Sequence, residues 1–130
     1  MANPSGKKGT QGETDRVRYL IGRGWRYATR IPKKGNRDCG DLILDQAVPV
    51  MIESKETRAF TPSKFLDEMT VQIENAGAEF GFVIVKRRGV TDVGKYYALT
   101  DVANIMKLIE QVWERPTPQP RRKLLRRLRS

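Results

Sequence analysis

Residues 41–55 read Asp-Leu-Ile-Leu-Asp-Gln-Ala-Val-Pro-Val-Met-Ile-Glu-Ser-Lys, and this stretch decides the fold. Two short apolar runs are separated by a brief polar connection, which is typical of two neighbouring β-strands. We therefore predict a strand over 41–45, a turn at 46–47 and a longer strand over 48–55. The short connection favours antiparallel pairing of the two strands with a constrained register.

This hairpin brings charged side chains together. Side chains alternate along a strand, so Glu53 and Lys55 share one face of the second strand, while Val50 and Ile52 lie on the other. Antiparallel pairing places Asp41, at the start of the first strand, beside Glu53, near the end of the second. The sequence therefore predicts two carboxylates and a lysine at one end of a sheet.

These three residues suit one kind of chemistry. Carboxylates are hard oxygen ligands that bind Mg²⁺ or Mn²⁺, and a neighbouring cation can stabilise negative charge that builds up on a reacting phosphate. Charged residues on strands are also often simply solvated, so an inert strand face is the alternative interpretation. The apolar runs that lead into both acids, together with a basic chain, favour the functional interpretation.

The rest of the pattern predicts helices on both sides of the hairpin in a mixed α/β fold. The predicted order is α-β-β-β-α-β-β-α, a mixed central sheet flanked by helices. The first helix follows a capping-box pattern at Thr10, and the second begins at a Thr61-Pro62 pair and ends at Gly77. The remaining predicted elements are strands over 25–31, 80–86 and 96–99, and a third helix capped by Thr100 or Asp101, with an inner stripe of Val102, Ile105, Met106, Ile109 and Val112.

Composition limits the classes of function. The chain has 130 residues and a net charge of +10 without histidine, which points to nucleic acid or an anionic surface as a partner. We predict one small domain over 10–114, a flexible basic arm over 1–9 and a basic, Pro- and Arg-rich tail over 115–130. The absence of histidine excludes a Ser-His-Asp triad and a histidine base, and a single cysteine, Cys39, excludes an internal disulfide.

The sequence also gives an expectation for the cellular location of the protein. No run approaches the roughly 20 apolar residues of a membrane span, and the first residues lack the apolar core of a secretory signal. We therefore expect a cytoplasmic protein that does not interact with membranes.

Several short motifs together resemble a known family. They are Lys8-Gly9, Gly12-Glu13 opening a helix, a basic Gly-containing loop, Gly-Asp-Leu-Ile at 40–43 and Ile-Glu-Ser-Lys at 52–55. Over about residues 7–100 the chain resembles the archaeal-type Holliday junction resolvases, which belong to the PD-(D/E)XK, or restriction-endonuclease-like, nuclease superfamily. One departure is Gly40, which stands where the motif usually has proline.

The resemblance implies an active site made of Glu13, Asp41, Glu53 and Lys55. It implies that Asp41, Glu53 and Glu13, with the backbone carbonyl of Ser54, bind Mg²⁺ or Mn²⁺. It further implies the restriction-endonuclease-like fold and metal-assisted phosphodiester hydrolysis in DNA recombination and repair.

Two of the candidate residues have competing interpretations. Glu13 has the spacing of a capping-box partner of Thr10, and one carboxylate cannot readily cap a helix and bind a metal together. Gln72 matches a glutamine that related nucleases often carry on the helix after the E-x-K motif, but it could equally face solvent.

The implied substrate is a four-way DNA junction, which a resolvase cuts by paired nicks in two opposed strands. One chain offers one candidate site, so we expect a homodimer, for which Phe60, Phe65 and Trp113 are candidate contacts. The alternatives are a nuclease of the same fold for nicks, flaps or duplex sites, and a catalytically silent DNA-binding protein.

Basic residues are candidates for contacts with the DNA backbone, although charge runs are often only solvated. The candidates are Lys7, Lys8, Lys33, Lys34, Arg37, Arg58, Lys86, Arg87 and Arg88.

Overall fold

The structure is a computed structural model that describes residues 14–32, 38–56 and 58–113. Predictions that concern residues 1–13, the loop 33–37 or the tail 114–130 lie outside the described residues. The elements are α1 over 14–22, β1 Thr29–Arg30, β2 Leu42–Ile43, β3 Val50–Lys55, α2 Pro62–Ala76, β4 Phe80–Val85, a 3₁₀ turn Val93–Lys95, β5 Tyr97–Leu99 and α3 Val102–Val112.

The strands form one five-stranded mixed sheet in the order β1-β2-β3-β4-β5. The β2–β3 pair is the predicted antiparallel hairpin, with Leu42 opposite Ile52. β3 and β4 run parallel, with Lys55 opposite Val85. Helix α2 connects the two strands and returns the chain to the end of the sheet at which β3 begins. β5 pairs antiparallel with β4. The predicted element order and mixed α/β class are therefore confirmed.

Each face of the sheet carries its own core, as the alternation along β3 predicts. Ile52 packs with Leu42 and with Leu20 of α1 on one face. Met51 packs with Phe65 and Met69 of α2 on the other. Since Glu53 and Lys55 share the side of Met51, the candidate site lies on the face that α2 covers.

Helix α2 has the predicted bounds. Pro62 occupies its first turn, and Gly77 ends it in the left-handed conformation with φ 64°. Thr61 stands at the N-cap position, although its side chain makes no capping hydrogen bond.

The first predicted strand, 25–31, is much shorter in the structure. Gly24, with φ 104°, ends α1, and the Trp25 backbone N–H donates to the carbonyl of Leu20. Trp25 also accepts a turn hydrogen bond from the N–H of Ala28, so only Thr29–Arg30 remains extended. The alternating pattern at 25–28 reflects a turn that packs against α1.

Helix α3 begins at one of its two predicted caps, but it does not have the predicted packing. Its N-cap is Asp101, whose side chain accepts from the N–H of Asn104. The side chain that α3 buries is Asn104, and the apolar stripe predicted to face inward is exposed. The exposed members of that stripe are Val102, Ile105, Met106, Ile109 and Val112.

Within the described ranges, no helix has the length and apolar character needed to cross a membrane.

Candidate active site

Asp41 and Glu53 converge on one backbone group. The N–H of Ser54 donates to Asp41 Oδ2 at 2.9 Å and to Glu53 Oε1 at 3.1 Å. The hairpin causes this geometry, because the N–H of Asp41 donates to the carbonyl of Ile52 and extends the β2–β3 pairing to the edge of the site. The predicted approach of the two carboxylates is therefore present in the structure.

Glu53 is buried, with only 6% of its surface exposed. Burial, together with a hydrogen bond to Asp41 and the negative charge of Asp41, raises the pKa of Glu53 from 4.5 to about 8. The Ser54 N–H and the charge of Lys55 act in the opposite direction but do not compensate. Two acids placed this closely in a desolvated position are stabilised either by a shared proton or by a bound cation.

Gln72 of α2 lies at the centre of the site. Its side chain is buried, and Nε2 donates to Glu53 Oε2 and, at 2.7 Å, to Asp38 Oδ2. The amide is assigned with Nε2, not Oε1, facing Asp38 Oδ2, because an amide oxygen cannot donate to a carboxylate. The solvent-facing interpretation of Gln72 is therefore wrong, and the residue contacts a candidate metal ligand.

The segment that leads to Asp41 is hydrogen-bonded to α2. Asn75 donates to the backbone carbonyl of Asp38 at 3.0 Å, and Asp38 Oδ1 accepts from the N–H of Gly40 at 3.0 Å. Gly40 has φ 90°, and a Cβ atom there would lie 2.7 Å from Cγ of Met51. Proline fixes φ near −65°, so the departure from the usual motif has a physical basis: this backbone requires glycine.

Lys55 points over α2. Its Nζ donates to Glu68 Oε2 at 2.9 Å and lies 5.3 Å from the centroid of the Phe65 ring. Burial lowers the pKa of Lys55, but the hydrogen bond to Glu68 and the charges of Glu53, Glu68 and Asp41 outweigh it, so the net pKa is raised. Lys55 is therefore a cation that is hydrogen-bonded to Glu68 and lies near the negative charges of Glu53 and Asp41.

A buried arginine supports the end of β3 from the opposite face. Arg16 of α1 is 1% exposed and donates to Glu56 Oε1 at 3.1 Å and to the carbonyl of Lys55 at 3.4 Å. Its guanidinium also lies 5.3 Å from the Tyr96 ring centroid. Arg16 thereby ties the backbone of Lys55 to α1. Glu13, three residues earlier in the sequence, lies outside the described residues, and its role stays a prediction.

Basic side chains border the same end of the sheet. The N–H of Lys86 donates to the carbonyl of Lys55, because β3 and β4 are parallel and end together. Lys86, Arg87 and Arg88 are exposed there, as is Arg58 in the segment after β3. The other predicted contacts, Lys7, Lys8, Lys33, Lys34 and Arg37, lie outside the described residues.

The residues present fit a hard divalent cation. Asp41 and Glu53 supply two adjacent carboxylates, and Mg²⁺ is commonly bound by one or two carboxylates together with water and substrate phosphate. In the part of the chain that the structure describes, no group of three or more His, Cys, Asp or Glu side chains is placed to hold a metal. The described site is thus a two-carboxylate site.

Sequence reasoning missed Asp38, Glu68 and Arg16. Asp38 follows the basic stretch 33–37 and resembles an ordinary turn residue. Glu68 shares α2 with Gln72, one turn apart, and this helical spacing was an available signal that both face β3. Arg16 has no distinguishing pattern in sequence, since its burial depends on tertiary packing.

Comparisons of the chain with protein-family models, with curated proteins and with solved structures find no match.

Proposed function

We propose that the protein is a metal-dependent endonuclease with a restriction-endonuclease-like fold. The observation that carries the proposal is the convergence of Asp41 and Glu53 on the Ser54 N–H, with Lys55 on the same strand face. The raised pKa of Glu53 supports it, because a bound cation relieves the repulsion between the two acids. Within this class, we propose a Holliday junction resolvase, on the basis of the sequence motifs.

The protein groups have separate roles in the proposed reaction. Asp41 and Glu53 would hold Mg²⁺, with the Ser54 carbonyl as a further ligand, and Glu13 stays a predicted third carboxylate. A bound Mg²⁺ polarises the scissile phosphate and makes a bound water more acidic. The Lys55 ammonium adds positive charge next to the phosphate as negative charge develops there.

The supporting residues keep these groups in place. Gln72 donates to Glu53 and so fixes the orientation of its carboxylate. Glu68 and Phe65 hold the Lys55 side chain over α2. Such fixed positioning is required because small displacements of reacting groups reduce rates strongly.

DNA binding is proposed from charge. The exposed Lys86-Arg87-Arg88 turn and Arg58 border the candidate site, and the chain has a net charge of +10. Phosphate contacts of this kind position a duplex without reading its sequence. A partner with a regular array of phosphates fits this surface, and DNA is the partner that the proposed chemistry requires.

The test compares labelled four-way junctions with matched duplex, nicked and flap DNA in Mg²⁺. We expect junction cleavage by the natural chain and none by Asp41→Asn or Glu53→Gln, with DNA binding retained because removal of a carboxylate reduces repulsion of phosphate. The control is Asp67→Asn, an exposed acid on α2.

Each outcome of this experiment has one meaning. Cleavage by both active-site variants would overturn the nuclease assignment. Preferential cleavage of flaps or nicked duplex would keep the nuclease and replace the resolvase. Binding without cleavage of any substrate would favour a catalytically silent DNA-binding protein.

A further inference from the structure

Three aromatic side chains form a continuous cluster next to the candidate site. Phe60, in the segment between β3 and α2, meets the Phe65 ring edge-on, with centroids 6.0 Å apart and an interplanar angle of 86°. The centroid of Phe60 also lies 5.9 Å from that of Tyr97 in β5. Phe65 is buried, whereas Phe60 and Tyr97 are 51% and 50% exposed. These two exposed residues are called the aromatic pair.

The register of the sheet places the aromatic pair on the face of the candidate site. Lys55 lies opposite Val85, and Val85 lies opposite Tyr97, so the three residues form one row across β3, β4 and β5. Side chains that lie directly opposite each other point to the same face of a sheet. Tyr97 therefore shares the face of Lys55, two strands or about 10 Å away. A short stretch of extended single strand spans this distance.

Cations accompany the rings at both ends of the cluster. Lys55 Nζ lies 5.3 Å from the centroid of Phe65, and the Arg87 guanidinium carbon lies 5.7 Å from the centroid of Tyr97. Arg58 and Lys86 are exposed in the adjoining segments. Proteins that bind single-stranded nucleic acid combine these two features, because aromatic rings stack on the bases while cations contact the backbone phosphates. The surface thus has the chemistry of a single-strand binding site.

We propose that the aromatic pair stacks on an unpaired nucleobase of the DNA strand that is held at the candidate site. This inference rests on the proposed function, which supplies DNA as the substrate. The bases inside a duplex are covered on both sides by their neighbours, so a ring at the protein surface is available only to an unpaired base. Every base has a π-face, so such a contact is independent of sequence. The substrate class is DNA with an unpaired nucleotide next to the cut, as in a flap, a fork or the crossover of a junction.

Other roles account for the aromatic pair less completely. Packing on the core explains the buried Phe65, but half of Phe60 and half of Tyr97 remain exposed after that packing. A second copy of the chain at this surface would bring together the basic residues that border it, Arg58, Lys86, Arg87 and Arg88, in both copies. Like charges placed opposite each other oppose association, whereas a DNA strand supplies phosphates for the same cations.

The test measures binding by fluorescence anisotropy of a labelled single-stranded oligothymidylate and of a matched duplex, with a chelator present so that no cleavage occurs. The variant is Phe60→Leu with Tyr97→Leu, which keeps apolar side chains and removes both rings. We expect the dissociation constant for the single strand to rise about 10-fold, the loss typical of one stacked base. Binding of the duplex should change less than about twofold, because it depends on phosphate contacts that the variant keeps.

Tyr27→Leu is the matched control. Tyr27 is also an exposed ring, at 64%, and the Arg26 guanidinium lies 5.4 Å from its centroid. It lies just before β1, at the other edge of the sheet from β5. This variant removes an aromatic ring with an arginine beside it, but away from the proposed strand path, so both dissociation constants should stay unchanged.

The second readout reports stacking directly. A 2-aminopurine base placed in the oligothymidylate loses fluorescence when it stacks, so we expect quenching by the natural chain and by Tyr27→Leu, and little quenching by the double variant. Far-UV circular dichroism checks folding. A double variant that loses secondary structure is replaced by Phe60→Leu alone, which leaves β5 unchanged and must still weaken binding of the single strand and reduce the quenching.

Three results would overturn the inference. They are an unchanged single-strand affinity in the folded variant, an equal loss of affinity for single strand and duplex, and the absence of quenching by the natural chain. Light scattering provides a further check, because a natural dimer that the double variant converts to a monomer would assign the rings to a contact between copies.

The chelator separates this inference from the nuclease proposal. If the natural chain quenches 2-aminopurine but cuts no DNA in Mg²⁺, the nuclease proposal fails and the aromatic pair remains a site for an unpaired base. If the natural chain cuts DNA while the double variant binds single strands as tightly as it does, the aromatic pair fails and the nuclease stands.

Discussion

Glu53 links the stability of the metal-free protein to pH. Its pKa is raised from 4.5 to about 8, so the native state holds a proton that the unfolded chain has released between these values. The corresponding stability is fully present below about pH 4.5 and is lost as pH rises through about 8. We expect the free energy of unfolding, measured with urea in the presence of a chelator, to fall by on the order of a few kcal/mol from pH 5 to pH 8.

The Glu53→Gln variant provides the matched control for this effect. It keeps a hydrogen-bonding side chain and removes the titration, so its stability should depend much less on pH over the same interval. An equally steep dependence in the variant would assign the effect to another group. Added Mg²⁺ should restore stability to the natural protein at pH 8, since a cation compensates the paired charges.

Glu68 is expected to position Lys55. The Glu68→Gln variant keeps an oxygen that can accept from the Lys55 ammonium but weakens a 2.9 Å charge-assisted contact. We expect the cleavage rate to fall by up to about fivefold, which corresponds to roughly 1 kcal/mol for a partly exposed pair. Mg²⁺ binding, measured by calorimetry, should change little. A variant with a higher cleavage rate would show instead that the contact with Glu68 keeps the Lys55 ammonium away from the DNA.

At the scale of single residues, the alternation of side chains along β3 predicted part of the candidate site. The remaining residues join it through contacts between elements that are distant in sequence. Period two in β3 was enough to place Glu53 and Lys55 on one face, and a short hairpin was enough to bring Asp41 to them. The contact between Gln72 and Asp38 was not predictable, because it joins a helix to a loop 34 residues away. Side chains that meet across elements leave no local pattern.

At the scale of elements, α3 depends on its N-cap. Asp101 accepts from the backbone N–H of Asn104 at 2.9 Å and from the Asn104 side chain at 2.7 Å. Asp101→Ala should destabilise the protein by about 1 kcal/mol in urea unfolding, while Asp101→Asn, which keeps an acceptor oxygen, should cost less. An unaffected Asp101→Ala variant would contradict the importance of this cap.

The contribution of the Asp101 cap to stability also depends on pH. The hydrogen bonds from Asn104 lower the pKa of Asp101, so its contribution is present above the ordinary value of 3.8 and is lost as pH falls below it. This window lies on the acid side of the Glu53 window, and the two effects can be measured separately.

The elements also show where a sequence pattern stops being informative. Pro62 and Gly77 define α2 because their backbone conformations are restricted or unusual, and both bounds were predictable. The stripe on α3 was correctly read as apolar, but periodicity does not say which surface covers it. The buried Asn104 reverses the expected orientation, because its Oδ1 accepts a hydrogen bond from the N–H of Gly81 in β4.

At the scale of the whole molecule, the end of the sheet at the candidate site and the outer face of α3 are chemically distinct. The site end of the sheet carries carboxylates bordered by exposed Lys86, Arg87 and Arg88, whereas the outer face of α3 exposes apolar side chains. With a net charge of +10, the chain is expected to bind a polyanion through the first of these surfaces.

The attachment of α3 through Asn104 has a consequence for local motion. The helix gives the monomer's interior a single well-buried side chain, so little apolar area opposes its release from the sheet. We expect the amides of α3 to exchange with solvent deuterium by local opening, well before those of β3 and β4, which require global unfolding.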